Sequence, residues 1–304
     1  MPAAAASSED VSHDIKPDTS PYITPESQNS PIVIQDGKIT INSGGNDEME
    51  QYIAEVIANL TEEEKQNITV LEINSEVSSL GWLSELVNLE QLTLNRNASA
   101  EELDISGNTS LKELNVQGAN VKSLNVEGCE NLVSLDCSSC GLESINLAGC
   151  TSLSVINIRE NGLMRFDAGM LPSLQELICD SQAVYVQTIG TTFAFGEYFD
   201  AASFVKSASA EDNIKNLKAF DGAGNEIASE FDAETGTASF AAAPSMITYD
   251  YDTSFEGVMM DVTVYATEAG REYAGILGSP KGGCNSFMGI MAMSAVLLLL
   301  MKKR

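Results

Sequence analysis

The feature that most constrains this chain is a leucine period. Leu89, Leu111, Leu132, Leu153 and Leu174 each open a unit, at intervals of 22, 21, 21 and 21 residues. Within a unit, apolar residues recur as L-x-x-L-x-L: Leu132, Leu135 and Cys137; Leu153, Ile156 and Ile158; Leu174, Leu177 and Cys179. Two units continue to an Asn or Cys at the ninth position and an apolar eleventh, through Cys140 and Leu142 and through Asn161 and Leu163. The unit from Leu111 departs from this with Ala119, and the unit from Leu89 keeps Asn97 but carries one extra residue. Alternation of the last two apolar positions with polar ones is the period of a short strand with one buried face. A single coil cannot bury that face, so successive coils must stack into a solenoid. A second apolar set follows in each unit (Val121, Leu124 and Val126; Leu142, Ile145 and Leu147; Leu163 and Phe166), which predicts an extended return side.

These units resemble the short leucine-rich repeats of bacterial surface proteins, the internalin type included, over roughly a third of the chain. The resemblance implies a cell-surface binding or adhesion protein. On its repeat sheet the third, fifth and seventh positions of each unit point outward. They are Gln91, Thr93 and Asn95; Glu113, Asn115 and Gln117; Ser134, Asp136 and Ser138; Val155, Asn157 and Arg159; Glu176, Ile178 and Asp180. That face is polar, mildly acidic and without aromatic residues, whereas tight protein interfaces lean on Trp, Tyr and Arg anchors. It predicts weak or multivalent contact with a protein or glycan at the cell surface. Arg159 and Ile178, diagonal neighbours in adjacent coils, are its strongest local candidates. A structural spacer or stalk, whose repeats supply only length, is the competing reading.

Charge and residue usage narrow the chemistry. A formal charge of −28 over 304 residues argues against nucleic acid and anionic membrane surfaces as partners. The single histidine, His13, lies in a Pro-, Ser- and Ala-rich arm, residues 1–30, which leaves no histidine for acid–base or nucleophilic catalysis in the folded part. The expectation is a protein that is not an enzyme and carries no cofactor or metal. Cys137 and Cys140 form a C-x-x-C, but both fall on inward repeat positions with no second pair, so packing is expected rather than zinc. Cys129 and Cys150 share one position in adjacent coils, with Cα atoms about 5 Å apart at one strand spacing. Stacked parallel side chains suit a disulfide poorly, and free buried thiols are expected.

Around the repeats, residues 31–67 read as a cap for the open end of the solenoid core. A hairpin turns at Asp36-Gly37, Asn46 starts an amphipathic helix through Met49, Tyr52, Ile53, Val56, Ile57 and Leu60, and Thr61 with Glu64 forms a capping box. The repeats proper occupy 68–182, with Trp82 as a core residue of the first coil. Residues 183–276 show short apolar runs broken by turn signals, which predicts an all-β sandwich. It resembles the immunoglobulin-like modules that follow such repeats. Asp250 and Asp252 read as the wet face of a strand rather than a calcium site.

Residues 277–304 read as a sorting tail. An apolar run from Phe287 to Met301 ends in Lys302, Lys303 and Arg304, the charge order that holds a C-terminus in the cytoplasm. With Gly282, Gly283 and Cys284 before it, the tail resembles the Synerg-CTERM type of sorting signal. That implies membrane contact through 287–301 and processing near Cys284; a plain anchor is the alternative. Met1 to Ser8 resembles only the small-residue end of a secretory signal, without its basic and apolar regions. The fold class expected is therefore a leucine-rich repeat solenoid with an N-terminal helical cap, followed by an immunoglobulin-like sandwich.

Overall fold

A computed structural model describes residues 31–42, 47–95, 101–195 and 213–266. The expected disordered arm, the helix start at Asn46, the Asn97 rung and the whole tail, with Gly282, Gly283, Cys284 and 287–301, lie outside them. Among the described residues no helix is long and apolar enough to cross a membrane.

The chain opens with a hairpin of β1 (Ile32–Gln35) and β2 (Lys38–Ile41), paired antiparallel. Its turn residues Asp36 and Gly37 both have positive φ, 51° and 77°, the combination a two-residue hairpin favours. Position 37 admits only glycine, because a Cβ there would stand 2.7 Å from the Asn67 carbonyl oxygen. Two helices follow, α1 (Asp47–Asn59) and α2 (Glu62–Asn67). The apolar stripe of α1 buries Ile53 and Ile57 and packs near the 3-10 turn Gly81–Glu85, where Trp82 is buried. The capping box forms as expected: Thr61 Oγ1 accepts from the Glu64 N–H at 3.3 Å, and Glu64 Oε2 accepts from the Thr61 N–H at 2.8 Å.

The repeats then stack. β3 (Val70–Ile73), β4 (Gln91–Leu94), β6 (Glu113–Asn115), β8 (Ser134–Asp136), β10 (Val155–Asn157) and β11 (Glu176–Ile178) pair parallel in chain order, and β2 joins β3 in the same sense. The hairpin thus extends the repeat sheet to eight strands rather than lying apart from it. The fourth position of each unit aligns in register: Ile39, Leu71, Leu92, Leu114, Leu135, Ile156 and Leu177, all buried. Identical apolar residues at strand spacing form a continuous core that no coil could make alone. The return side is extended where the second apolar set predicts it. β5 (Glu102–Asp104), β7 (Ser123–Asn125) and β9 (Ser144–Asn146) form a parallel sheet with Leu103, Leu124 and Ile145 in line.

In the last full coil the return side changes course. The residues equivalent to β9 are Arg165, Phe166 and Asp167, and they form no strand. They turn instead toward the C-terminal region, where the Tyr249 hydroxyl donates to the Met164 carbonyl at 2.6 Å and the Ala168 N–H donates to the Thr253 carbonyl at 2.9 Å.

That C-terminal region consists of two sheets. One runs β12 (Gln182–Val186), β19 (Met259–Ala266), β18 (Met246–Asp252), β14 (Ile214–Phe220), β15 (Glu226–Ile227); the other runs β13 (Thr192–Ala194), β17 (Thr237–Phe240), β16 (Ser229–Asp232). Alternate residues of β18 and β19 are buried (Ile247, Tyr249 and Tyr251; Met260, Val262 and Val264). Phe195 bridges the two sheets, its ring edge-on to Phe231 at 5.7 Å and to Tyr249 at 5.1 Å.

Candidate binding face

On the repeat sheet the outward positions are mainly where the period puts them. Glu113, Asn115, Gln117, Arg159 and Glu176 are exposed, and Ser134, Asp136, Asn157, Ile178 and Asp180 are half-buried. Ser138 differs. Its residue is 1% exposed, because the hydroxyl folds back to donate to Asp136 Oδ1 at 2.7 Å and accepts from Gln117 Nε2 at 3.2 Å. A small hydroxyl that bonds its own strand sinks below the longer side chains beside it, so Ser138 is removed from the accessible face.

The outward side chains bond one another along the sheet. Asn157 Nδ2 donates to Asp136 Oδ2 at 3.2 Å. Asn74 Nδ2 donates to Asn42 Oδ1 at 3.1 Å, and Asn95 Nδ2 donates in turn to Asn74 Oδ1. The seventh-position column therefore reads Asn42, Asn74, Asn95, Gln117, Ser138, Arg159, Asp180 across the sheet. Its first two members come from the hairpin and the first coil. They could have been found by extending the seventh position of the period back through Ile73 and Ile41.

Arg159 and Ile178 are diagonal neighbours, since Asn157 stands opposite Ile178. The Arg159 guanidinium is not an open cation. It lies 3.0 Å from Glu160 and 3.7 Å from Asp180. At the other end Lys38 meets Glu72 at 2.5 Å, and this bond holds the Glu72 carboxyl below the usual carboxylate range. Such exposed pairs contribute little to stability, about 0–1 kcal/mol each. At Arg159 one cation stands between two carboxylates, so that end of the face stays acidic.

Beneath the face two rows of polar positions close each coil. At the ninth position Asn161 is fully buried and bonds the backbone of two coils: Oδ1 accepts from the Cys140 and Leu142 N–H groups, while Nδ2 donates to Cys137 and Ile158 carbonyls. One coil later Gln182 takes the same part. Its Oε1 accepts from the Leu163 N–H at 3.0 Å, and its Nε2 donates to the Ile158 and Cys179 carbonyls at 2.9 and 3.1 Å. Gln182 is also the first residue of β12, so one side chain both closes the solenoid and opens the next sheet. Its signal was present in sequence: it is the ninth residue of the unit from Leu174, with Gln where Asn or Cys is usual.

The thiols serve the same purpose. Cys140 Sγ donates to the Val116 carbonyl at 2.9 Å, Cys150 to Val126 at 3.2 Å and Cys129 to Ile105 at 3.5 Å. All five described cysteines are buried thiols outside any disulfide. Burial pushes the Cys129 thiol up to about 11 and those of Cys150 and Cys179 to about 12, and raises Cys137 well above its ordinary value. The thiolate is the reactive form, so these groups are protected twice, by access and by protonation. At pH 8 a maleimide should leave Cys129, Cys137, Cys140, Cys150 and Cys179 unlabelled in the native protein and modify all five after denaturation. Peptide mapping reads this out; fast native labelling of any of the five would contradict the packing described.

No family model matches this chain, and no curated protein matches it. Among solved structures it is similar to the functional domain of InlJ from Listeria monocytogenes, which includes a cysteine ladder, at 15% identity and TM-score 0.40. That match covers 68% of this chain and 50% of the other, so this chain spans half the length of that protein's domain. It is also similar to the Listeria monocytogenes internalin-like protein lmo2027, at 11% identity and TM-score 0.32, over 75% of this chain and 86% of that one.

Proposed function

We propose that this chain is a non-enzymatic bacterial cell-surface protein that binds a protein or glycan through the outward face of its repeat sheet. In this reading the hairpin and α1 cap the solenoid, the two-sheet region is an immunoglobulin-like module, and the tail tethers the whole by residues 287–301. One observation carries the binding part: the outward polar side chains, from Asn42 to Asn95 and from Gln117 to Asn157, are held by hydrogen bonds along the sheet. Side chains already ordered lose less freedom when a ligand docks, so a modestly polar face becomes a usable one. The same bonds favour a second reading, a structural spacer, because amides that satisfy one another offer fewer donors to a ligand.

Both readings meet in one experiment. The full chain is passed over immobilised extracellular-matrix proteins, envelope glycans and sister cells, beside an Asn74→Ala, Asn115→Ala, Asn157→Ala variant. A ligand held by the parent and lost by the variant supports binding through this face. Equal retention moves the site elsewhere, and no retention by either favours the spacer. Intact mass of envelope material tests the tail: a chain still ending in Lys302, Lys303 and Arg304 keeps 287–301 as a plain anchor, whereas 287–301 that only holds the chain during export is lost by processing near Gly282, Gly283 and Cys284, with an unprocessed precursor for Cys284→Ala.

A further inference from the structure

The departure of residues 164–168 from the return side leaves an open cleft of about 710 Å3, lined by Gly141, Glu143 and Ser144 on one wall and by residues 183–188 on the other. Its position within the ladder is informative. At its narrow end three segments pair normally: the Gly162 N–H donates to the Leu142 carbonyl, and the Ala183 N–H donates to the Asn161 carbonyl. Beyond Gly162 the middle segment is drawn away to Tyr249 and Thr253, while its two neighbours continue as strands. Among the described residues β9 is the last strand of its sheet and β12 the last of its own, so two strand edges border the space that a third strand would fill.

Backbone alternation fixes what β12 offers. Ala183 directs its N–H away from β19, toward Asn161, and Tyr185, two residues on, directs its N–H and C=O the same way. The Tyr185 ring is 43% exposed, lines the cleft, and is stacked on Tyr265 at 5.3 Å with 19° between the planes. Among the described residues Glu143 is the one charged residue lining the space, and its side chain lies over Gly162 at the narrow end.

We propose that this cleft is a slot for an extended peptide of a partner protein, which pairs with the edge of β12 and sets a lysine or arginine side chain against Glu143. Strand addition takes its affinity from main-chain bonds and its choice of sequence from the side chains met along the edge. The occupant is basic because the described lining carries one carboxylate, Glu143, in a chain of formal charge −28, which repels an acidic strand. Tyr185, backed by Tyr265, supplies a fixed apolar wall for the neighbouring side chain. The slot is separate from the repeat face and stands or falls apart from it.

The probe is an array of ten-residue peptides of alternating Thr and Val, each with one central Lys, Gln or Glu, and the full chain is applied to it. The expected result is retention of Lys peptides about tenfold above the Glu and Gln sets, the size of one charge-assisted bond. Glu143→Gln should erase that preference, and Tyr185→Ala should lower retention of every Lys peptide. Hydrogen exchange on the full chain with the best Lys peptide should slow at the Tyr185 amide, a readout that does not depend on a variant folding. An Asn157→Ala, Arg159→Ala variant of the repeat face should bind as the parent does. Equal retention of Lys and Glu peptides, a preference that survives Glu143→Gln, unchanged exchange at Tyr185, or loss of binding in the repeat-face variant would each overturn the slot.

Discussion

Asn161→Ala should lower the unfolding free energy by about 4 kcal/mol, since buried backbone groups left unsatisfied cost roughly 1–3 kcal/mol each. The side chain is 0% exposed and bonds five backbone groups: the N–H of Cys140 at 3.0 Å and of Leu142 at 2.9 Å, and the carbonyls of Cys137, Ile158 and Arg159 at 2.9, 2.9 and 3.3 Å. The variant takes this partner from the Cys140 and Leu142 N–H groups and the Cys137 carbonyl in a space too apolar to hydrate them well, while the Ile158 and Arg159 carbonyls keep the Gln182 amide and the Ser139 N–H. Relaxation of the turn keeps the loss below the sum of five bonds. Ala119, at the equivalent position two coils earlier and itself fully buried, shows that the turn can be made without an amide. That coil closes without a side-chain amide at this position, through the Gly118 N–H on the Ser138 carbonyl and the Ala119 N–H and Cys140 thiol on the Val116 carbonyl. Urea unfolding should show a lower midpoint with an unchanged slope, the sign of lost stability rather than altered compactness. A loss under about 1 kcal/mol would mean that the coil closes as Ala119 does and that Asn161 is dispensable.

The second large effect lies at the junction. Tyr249→Ala should cost about 4–5 kcal/mol, near the top of the range for truncating a buried aromatic ring. The residue is 2% exposed, edge-on to Phe195, and its hydroxyl donates to the Met164 carbonyl. Tyr249→Phe keeps the ring and removes the bond, and should cost about 1–2 kcal/mol by leaving that carbonyl unpaired. A cost for the Phe variant equal to that of Ala would place the whole effect in the bond and refute the packing argument. Alkaline pH separates them further. Burial raises the Tyr249 hydroxyl well above its ordinary value of 10.0, so the folded state resists deprotonation that the unfolded chain accepts. The sign follows: this contribution is intact below pH 10 and is lost as pH rises toward the folded value. Tyr249→Phe should flatten that part of the alkaline profile, as far as Tyr185 and Tyr265, also raised by burial, allow.

Local signals settled much of the molecule. Asp36-Gly37 specified a turn because both residues adopt positive φ, and Thr61 with Glu64 specified a helix start because each satisfies the other's backbone N–H. The leucine period went further, since a repeat of 21 residues lets the same position be read in every coil. Leu92, Leu114, Leu135, Ile156 and Leu177 were legible as one buried line before any coordinates. Outward placement was also legible for most of the face, because strand alternation fixes which way a Cβ points.

Alternation does not say how deep a side chain then sits. Ser138 faces outward by position and is buried by its bonds to Asp136 and Gln117, partners a coil-by-coil reading cannot weigh. The period also predicts a return strand at Arg165–Asp167, and the tertiary structure overrules it. Tyr249, 85 residues after Met164, offers a buried hydroxyl that competes with the ladder for the same backbone. Once that bond wins, no described strand pairs with the outer edge of β9, and β12 stands across from it. The sequence alone determined the solenoid, because its core is built from contacts that recur at a fixed interval. Only the tertiary structure decided where the return side stops repeating, because that choice rests on Tyr249, whose partner at Met164 lies 85 residues away and at no repeat spacing.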